Sequence, residues 1–528
     1  MPVSVSYPGV YVEEIPSGVR TIAGVATSIT AFVGKALRGP VDAPQTITSF
    51  AEFERVFGGL HRDVPLGYAV RDFFVNGGST AVILRLYKAT ANKARRAAFA
   101  VTDLALEAAN EGAWGMRVRV RIEKKPANDP NLVAVADRLG LAPADLFDLI
   151  VRDATTGRIE TFLNLTTKDS ARRVDRVLNN ESTLVAATQA LPSNTVPAAH
   201  AGALADADVW TDPGKSTPAR DTPASAEAVD SAALGSAELK GGLVALDGVD
   251  LVNLLCILPD ARGGSVPDDV YAEAMTMCAR RRAFLLVDAK PEWTTVASAR
   301  TGVPGMNLTG PAARNAAVFF PRIRQADPML DGQLDVFPAS GVIAGVFART
   351  DAQRGVWKAP AGTDAALTGV AGLQVTMTDA ENGLLNPLGI NSLRSLPVFG
   401  HVVWGARTLR GADAAADEYK YISVRRTALF IEESLYRGLK WVVFEPNDEP
   451  LWSQIRLNVG AFMHNLFRQG AFQGKTPREA YLVKCDAETT TQNDVNLGIV
   501  NIVVGFAPLK PAEFVIIKLQ QLAGQVQS

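Results

Sequence analysis

Cysteine and histidine are scarce in this sequence of 528 residues, which contains three cysteines and four histidines. Cys256, Cys278 and Cys485 are far apart, so their spacing indicates neither a disulfide framework nor a zinc cluster and fits a reducing compartment. Neither the HExxH element of zinc proteases nor the GxSxG element of serine hydrolases occurs. We therefore expect no metal site and no cofactor.

A clear excess of one charge is also missing. Lys and Arg total 53 and Asp and Glu total 55, a net charge of −2, which does not predict a nucleic-acid partner. No uncharged apolar run of membrane-spanning length occurs, and the first residues lack the features of an export signal, so we expect no membrane insertion. The hydrophobic content of 47% and mean hydropathy of +0.08 are high for a soluble chain. Contact surface buried between subunits is the simplest explanation.

Alternating strand and helix patterns predict α/β units on either side of a different kind of region. The length alone predicts three or four domains. Apolar periodicity and Gly stops predict, in the first 89 residues, strands at 31–33 and 81–86 and helices at 50–57 and 66–75. From about residue 252 it predicts a strand at 252–258, a helix at 268–282 and a strand at 283–287.

Between these units, strict alternation predicts β-structure. Val118, Val120 and Ile122 alternate with charged residues, which indicates a half-buried strand with a charged face. Segments 147–152 and 158–163 flank a Thr-Gly pair and predict a hairpin. Residues 184–239 have little periodicity and predict a long surface loop.

The C-terminal region predicts a smaller α/β module. A helix is expected at 423–437, with Ser423 as a possible N-cap and with Arg425, Arg426, Glu432, Glu433 and Arg437 facing outward. A short strand is expected at 441–444, a second helix from Pro450 to Gly470, and a strand in the β-branched run 497–507. A last apolar run, 514–519, follows two prolines, and the residues before Pro16 alternate in the same extended way. Both ends are therefore predicted to be extended arms.

Motifs along the chain resemble those of the tail sheath proteins of contractile phage tails and of related pyocin-like and extracellular contractile injection systems. They are, in order, YPGVYVEEI at 7–15, GKALRGP at 34–40, FFVNGGSTAVILR at 73–85, ARTD at 348–351, RGVWKAP at 354–360, NPLGIN at 386–391, WGART at 404–408, YKYISVRR at 419–426, and FEPN at 444–447 followed by Leu451-Trp452. They keep the family order over most of 1–89 and 316–528. Residues 90–240 match more loosely.

The resemblance implies a multi-domain α/β (α+β) fold, a sheath core with extended N- and C-terminal β-strand arms and an inserted β-rich domain. The expected parts are an N-terminal arm at 1–20, a discontinuous α/β domain at 21–89 and 241–400, an outer β-rich domain at 90–240, a C-terminal domain facing the tube at 401–510, and a C-terminal arm at 511–528.

The function that the resemblance implies is structural and not enzymatic. The chain is expected to polymerise as stacked helical rings, hexameric in this family, around an inner tail tube protein, to meet baseplate and terminator proteins, and to contract so that the tube crosses a target envelope. The expected location is a phage virion tail or a contractile injection particle, assembled in the bacterial cytoplasm.

Two other interpretations stay open. One is an α/β enzyme with a β-rich insertion, acting on a small polar substrate, since Asp260 and Asp288 follow adjacent predicted parallel strands. These carboxylates can equally be residues that simply end strands. The other interpretation is a monomeric adhesin-like binding protein. Segment 470–476 (GAFQGKT) looks like a phosphate loop, but it has one residue too few between its glycines and follows a helix, so we expect no nucleotide site.

The sequence also predicts which residues make the contacts between subunits. Arm residues expected to pair with a neighbour are Val10, Tyr11, Val12, Ile15, Phe514, Val515, Ile516, Ile517 and Leu519. The acceptor strand is expected at Ile499, Val500, Ile502, Val504 and Phe506. A stripe at i+4 spacing on the second C-terminal helix, Arg456, Gly460, His464 and Arg468, is expected to face the tube, although it can also be an ordinary solvated face.

Overall fold

The structure is a computed structural model and describes residues 20–219 and 228–518. Strands β1 to β10 are Thr30–Gly34, Gln45–Ile47, Ala81–Arg85, Ala98–Val101, Leu104–Ala108, Val118–Glu123, Phe147–Asp153, Ile159–Leu165, Val185–Ala187 and Thr217–Pro218. Strands β11 to β20 are Leu254–Ile257, Phe284–Asp288, Ala316–Phe320, Ile323–Asp327, Gln333–Phe337, Gly372–Leu373, Ile390–Leu396, Gly400–Val403, Tyr481–Lys484 and Val503–Phe506. Helices α1 to α13 are Phe50–Phe57, Pro65–Val75, Pro130–Leu139, Val174–Glu181, Ser236–Ala245, Asp268–Arg281, Val296–Gly305, Ser340–Arg354, Asp379–Leu385, Ile422–Gly438, Glu449–Arg468, Pro477–Ala480 and Gln492–Asn496.

An eight-stranded sheet forms the centre of the molecule, in the order β18-β17-β13-β12-β11-β1-β3-β2. Its six inner strands are parallel, and the two edge strands pair antiparallel to their neighbours. Strands β1, β3, β11, β12 and β13 are buried along their whole length. They are apolar runs because parallel strands are covered on both faces.

Helices cover both faces of this central sheet. One face packs against α1, α2, α8 and the start of α10, and the other against α5, α6 and α7. Helices α2 and α8 come very close, since a Cβ added at Gly341 would lie 2.3 Å from the Ala69 carbonyl oxygen and one at Gly345 would lie 2.6 Å from that of Phe73. This layered arrangement confirms the predicted α/β class.

The segment between β3 and α5 forms two antiparallel sheets around a core of their own. Their strand orders are β10-β6-β7-β8 and β4-β5-β9. The predicted hairpin is present as β7 and β8, with Arg152 opposite Ile159. The charged face of β6 is covered in part by the long loop, because Arg121 is buried and donates to the carbonyls of Ala201, Gly202 and Lys215.

A smaller C-terminal module packs beside the central sheet. Its core unites α10, α11 and the two-stranded sheet of β19 and β20 with Ile22 from the start of the chain. Helix α10 contributes to two cores, because Leu429 packs in the core beside the central sheet and Ile431 packs in the core of the C-terminal module. The domain boundaries given above remain a proposal.

Three predictions for this module are wrong. Residues 441–444 form no strand, since Lys440–Val442 is a 3-10 turn that continues from α10. Ser423 is not the N-cap of α10, which is Tyr421. Arg426 and Glu433 do not face solvent: Arg426 is buried against Asp351 of α8 at 2.5 and 2.9 Å, and Glu433 accepts from Arg282 and Arg437. The periodicity located the apolar stripe of α10 but not the second body that covers its charged side.

Candidate assembly surfaces

The sheet of the C-terminal module has two strands, β19 and β20, paired antiparallel from Tyr481 opposite Phe506 to Lys484 opposite Val503. Within the described residues neither strand has a second neighbour, so each has an unpaired edge. Leu482 and Val503 are 51% and 48% exposed. A two-stranded sheet with open edges and exposed apolar residues is marginal alone and is a template for further strands.

The predicted acceptor strand is only partly present. Val504 and Phe506 lie in β20, whereas Ile499, Val500 and Ile502 precede it, so the strand in the subunit is shorter than predicted. Their role in receiving an arm stays a prediction. The reason for the shorter strand is the end of α13, where Gly498 adopts a left-handed φ of +72° and the Ile499 N–H donates to the Asp494 carbonyl. The Asn501 N–H is likewise used, by the Thr490 hydroxyl, so these groups cannot join a ladder.

The C-terminal tail after β20 contains no strand in its described part, residues 507–518. Phe514, Val515, Ile516 and Ile517 are 74–82% exposed, which is unusual for four consecutive apolar residues. Leu519 lies outside the described residues, as do the predicted N-terminal contact residues Val10, Tyr11, Val12 and Ile15.

The tail is held firmly just before this apolar segment. The Arg407 side chain, 1% exposed, donates to both carboxylate oxygens of Glu513 at 2.7 and 2.5 Å, and the Tyr421 hydroxyl donates to the same carboxylate at 3.3 Å. Arg407 also donates to the Asn386 and Gly411 carbonyls. A planar guanidinium with this many acceptors fixes the root of the tail to the central body. Sequence reasoning missed this pair, although Arg407 lies in the WGART motif.

The N-terminal segment enters the same module. The Arg20 N–H donates to the Asn458 side chain of α11, and its guanidinium lies 4.6 Å from the centre of the Trp441 ring. Ile22 is buried in the module core. The first described residues of the chain are therefore held against the C-terminal module.

The predicted tube-facing stripe lies on α11, and its two arginines, Arg456 and Arg468, differ in their partners. Arg456 donates to Glu449, Ser453 and the Cys485 carbonyl, so its charge is used within the subunit. The bond to Arg456 holds the pKa of Glu449 below its ordinary value. His464 is exposed and lies 3.3 Å from the Tyr481 hydroxyl, while Arg468 is exposed and has no ion-pair partner among the described residues. Gly460 is half-buried with open space around its α-carbon.

The two carboxylates that raised the enzyme interpretation have structural partners. Asp288 accepts from the Ala339 and Ser340 N–H groups at 2.8 Å each, at the start of α8, and burial raises its pKa. Asp260 pairs with Lys35 at 2.5 Å and accepts from the Leu234 N–H. In the phosphate-loop-like segment, the Glu479 side chain occupies the Lys475 N–H, where a phosphate would bind.

Across 20–219 and 228–518, His, Cys, Asp and Glu side chains do not gather in groups that could hold a metal ion. Of the helices in the same ranges, none combines the length and apolar character needed to cross a bilayer.

Two family models match the chain. The phage tail sheath protein central domain matches residues 234–409, and the phage tail sheath C-terminal domain matches residues 414–521, together more than half of the chain. The first match covers five of the eight strands of the central sheet, β11, β12, β13, β17 and β18. The second covers the module that carries the open-edged sheet and the tail.

Individual relatives agree with these matches. The tail sheath protein of Vibrio phage KVP40 is 31% identical over 130 residues, which is 24% of this chain and 19% of that protein. The tail sheath protein of Burkholderia phage BcepMu is 23% identical over 476 residues, 88% of this chain and 87% of that protein. The match thus spans about a fifth of the first relative and most of the second.

Two solved structures share the fold. The contracted sheath complex of an extracellular contractile injection system, PVC, matches with a TM-score of 0.58 and 21% identity over 98% of both chains. The sheath tail protein of Listeria innocua matches with a TM-score of 0.59 and 12% identity over 93% of this chain and 96% of the other.

Proposed function

We propose that this chain, which belongs to the contractile tail sheath family, polymerises as stacked helical rings around an inner tube and shortens to drive that tube through a target envelope. The family consists of structural sheath proteins, and no comparison supports the α/β enzyme alternative. The proposal extends to hexameric rings, a tube protein inside, baseplate and terminator proteins at the ends, assembly in the bacterial cytoplasm, and a place in a phage tail or injection particle.

The observation that carries the proposal is the unfinished sheet beside an exposed apolar tail. Strands β19 and β20 each have an open edge, and Phe514 to Ile517 are exposed just beyond the anchored Glu513. Strands donated by neighbouring subunits would pair these edges and cover this apolar surface, so that each subunit completes the next. A head-to-tail contact of this kind does not close on itself and generates a helical filament.

The same arrangement accounts for contraction. Arms that pair by backbone hydrogen bonds keep subunits linked while the rigid central bodies rotate past one another. The exposed part of α11 near His464 and Arg468 is the surface we assign to the tube, through contacts that are weak singly and can break on contraction.

Electron microscopy of the purified chain tests the proposal. We expect long hollow tubes of uniform width, because one repeated contact fixes one geometry. Addition of an inner tail tube protein should give filled tubes in place of empty ones. A chain that stays monomeric at high concentration, with or without tube protein, would contradict the proposal.

A further inference from the structure

The loop between α10 and α11 presents a phenylalanine to solvent. Phe444 is 103% exposed and has a left-handed φ of +73°, a conformation that bulky residues rarely adopt. The loop is nevertheless held in place, because the Asn447 side chain donates to the Ile499 carbonyl at 3.0 Å and accepts from the Trp452 indole at 2.9 Å. A strained, fixed and fully exposed apolar residue is typical of a contact site. We call residues 443–447 the Phe444 loop.

An apolar groove of about 540 Å³ lies between α7 and α9 on the central body. Leu384 of α9 and Leu388, just after this helix, are 48% and 37% exposed, and Val296 and Pro304 line the facing side on α7. We call this the α7–α9 groove. Exposed apolar surface that is gathered in a groove marks a site of protein contact.

The charges beside the two surfaces are complementary. Arg300 lines the groove, is exposed, and makes no ion pair or side-chain hydrogen bond within the described residues. The carboxylate of the groove, Glu381, accepts from the Thr378 N–H and hydroxyl at 2.8 and 2.9 Å, so it is already used in the cap of α9. In the Phe444 loop, the Glu445 side chain is exposed and likewise has no partner in the part of the chain that the structure describes. An apolar residue followed by an unpaired carboxylate therefore matches an apolar groove with an unpaired guanidinium at its rim.

The two surfaces lie at opposite ends of α10. At the start of this helix, the Arg407 backbone bridges to the N-cap residue Tyr421, and the Arg407 side chain donates to the Asn386 carbonyl, two residues from Leu388 of the groove. The Phe444 loop follows the other end, and the 17 residues of α10 span about 25 Å. This separation keeps the loop away from its own groove and suits a head-to-tail contact with the next subunit, which does not close on itself.

We propose that the Phe444 loop inserts into the α7–α9 groove of a second copy of this chain. Phe444 packs there against Leu384 and Leu388, and Glu445 pairs with Arg300. The inference rests on the proposed function and adds a contact between folded bodies that involves neither terminal arm. It joins the C-terminal module of one subunit directly to the central body of the next.

Cysteine cross-linking in assembled tubes tests this contact. The three cysteines of the chain are buried, so an introduced pair is the one that reacts. Mild oxidation of tubes made from an equimolar mixture of Glu445→Cys and Arg300→Cys chains should give covalent dimers. A chain that carries both substitutions should give a ladder of longer multimers. The matched control uses Arg62→Cys in place of Arg300→Cys and should give no product, because Arg62 is an exposed arginine in the loop between α1 and α2.

A second variant measures the contribution of the phenylalanine. Phe444→Asn should raise roughly tenfold the subunit concentration at which tubes sediment and appear by microscopy, because it removes the apolar anchor of the contact. The melting temperature of the free subunit should not fall. The side chain is exposed there, and asparagine adopts a left-handed φ more readily than phenylalanine does.

Several results would overturn the proposal. Tubes of the mixed cysteine variants might yield no dimers, or yield them as readily with Arg62→Cys as with Arg300→Cys. A cross-link formed only within single doubly substituted chains, or assembly of Phe444→Asn at the wild-type concentration, would also overturn it. In each of these cases wild-type tubes would leave the proposed function standing, whereas a wild-type chain that forms no tubes would contradict that function itself.

Discussion

The central sheet and the C-terminal sheet of this chain differ in how their edges end. The central sheet has eight strands, and its edge strands β2 and β18 are short and antiparallel, with helices on both faces. The C-terminal sheet has two strands within the described residues, and exposed Leu482 and Val503 lie on them. The same chain thus protects the edges of the central sheet and leaves the edges of the C-terminal sheet available for pairing with further strands.

The difference assigns separate tasks to the two regions. Stability should reside in the central body, whose cores are closed around β1, β11, β12 and β13. Association should reside in the C-terminal module, whose tail is anchored by Arg407 and then exposes four apolar residues. Substitutions in one region should therefore affect folding, and those in the other should affect polymers.

The largest expected effect is the loss of all tubes on removal of residues 514–528. A cut after Glu513 keeps its bond to Arg407, so the melting temperature of the subunit should stay unchanged while the apolar donor is gone. Removal of 511–528 is the matched control, since it takes away Glu513, leaves Arg407 with Asp413 as its remaining carboxylate partner and should lower the melting temperature as well. Thermal unfolding and microscopy of both truncations provide the measurement. Normal tubes from the chain that lacks 514–528 would contradict the claim that the exposed tail of the C-terminal module is needed for association.

A core substitution should show the opposite pattern. Phe319 of β13 is 1% exposed and packs edge-on against Phe347 at 6.1 Å. Phe319→Ala should cost about 3–5 kcal/mol of subunit stability. Phe514→Ala, at a position 74% exposed, should change stability by less than about 0.5 kcal/mol and still weaken tube formation. Denaturant unfolding of the two variants measures both values, and equal losses of stability would argue that the tail packs on its own subunit.

A smaller effect is expected on α11. Arg468→Glu should leave empty tubes normal and reduce assembly around tube protein a few-fold, since one exposed charge contact is worth ~0.2–1 kcal/mol. The reduction should be greater at low salt, where exposed charges are least screened. We use Arg468 and not Arg456, because Arg456 bonds within the subunit to Glu449 and the Cys485 carbonyl. Lys475→Glu is the control in the same module. Equal co-assembly of the two variants with tube protein would indicate that the stripe is an ordinary solvated face.

The smallest effect on assembly should come from the inserted sheets. Replacement of residues 90–230 by a short linker should leave tube formation intact, because the inserted sheets pack around a core that is separate from the core of the C-terminal module. Some stability should be lost, since Arg85 donates to the Glu111 carbonyl and Arg38 pairs with Asp153. Extension of the replacement to residue 240 should cost more, because Leu234 and Leu239 belong to the central core. A folded subunit without tubes would show that the insertion takes part in polymerisation.

Local patterns predicted the closed region of the molecule well. The predicted helix 50–57 has the same bounds as α1, and the predicted strands at 31–33, 81–86 and 283–287 correspond to β1, β3 and β12. Runs that are buried on both faces carry an apolar signal that does not depend on distant partners. The family resemblance was confirmed by the two domain matches.

Predictions were wrong where distant partners decide the structure. The run 497–502 has strand-forming residues, but the Ile499 N–H donates to the Asp494 carbonyl at the end of α13 and the Asn501 N–H donates to the Thr490 hydroxyl. Arg426 lies on the charged side of an amphipathic helix, yet Asp351, 75 residues away, makes it part of the interior. Arg407 and Glu513 are 106 residues apart, and no local pattern relates them.

Hydrogen exchange tests most directly whether neighbours complete the C-terminal sheet. Amides of Val503 to Phe506 and of Phe514 to Ile517 should exchange quickly in the free subunit and become protected in assembled tubes, while amides of β12 and β13 should be protected in both. The comparison needs only the wild-type chain below and above its assembly concentration. Equal exchange of the C-terminal amides in the two states would contradict the account, because it would mean that assembly leaves the open edges unpaired.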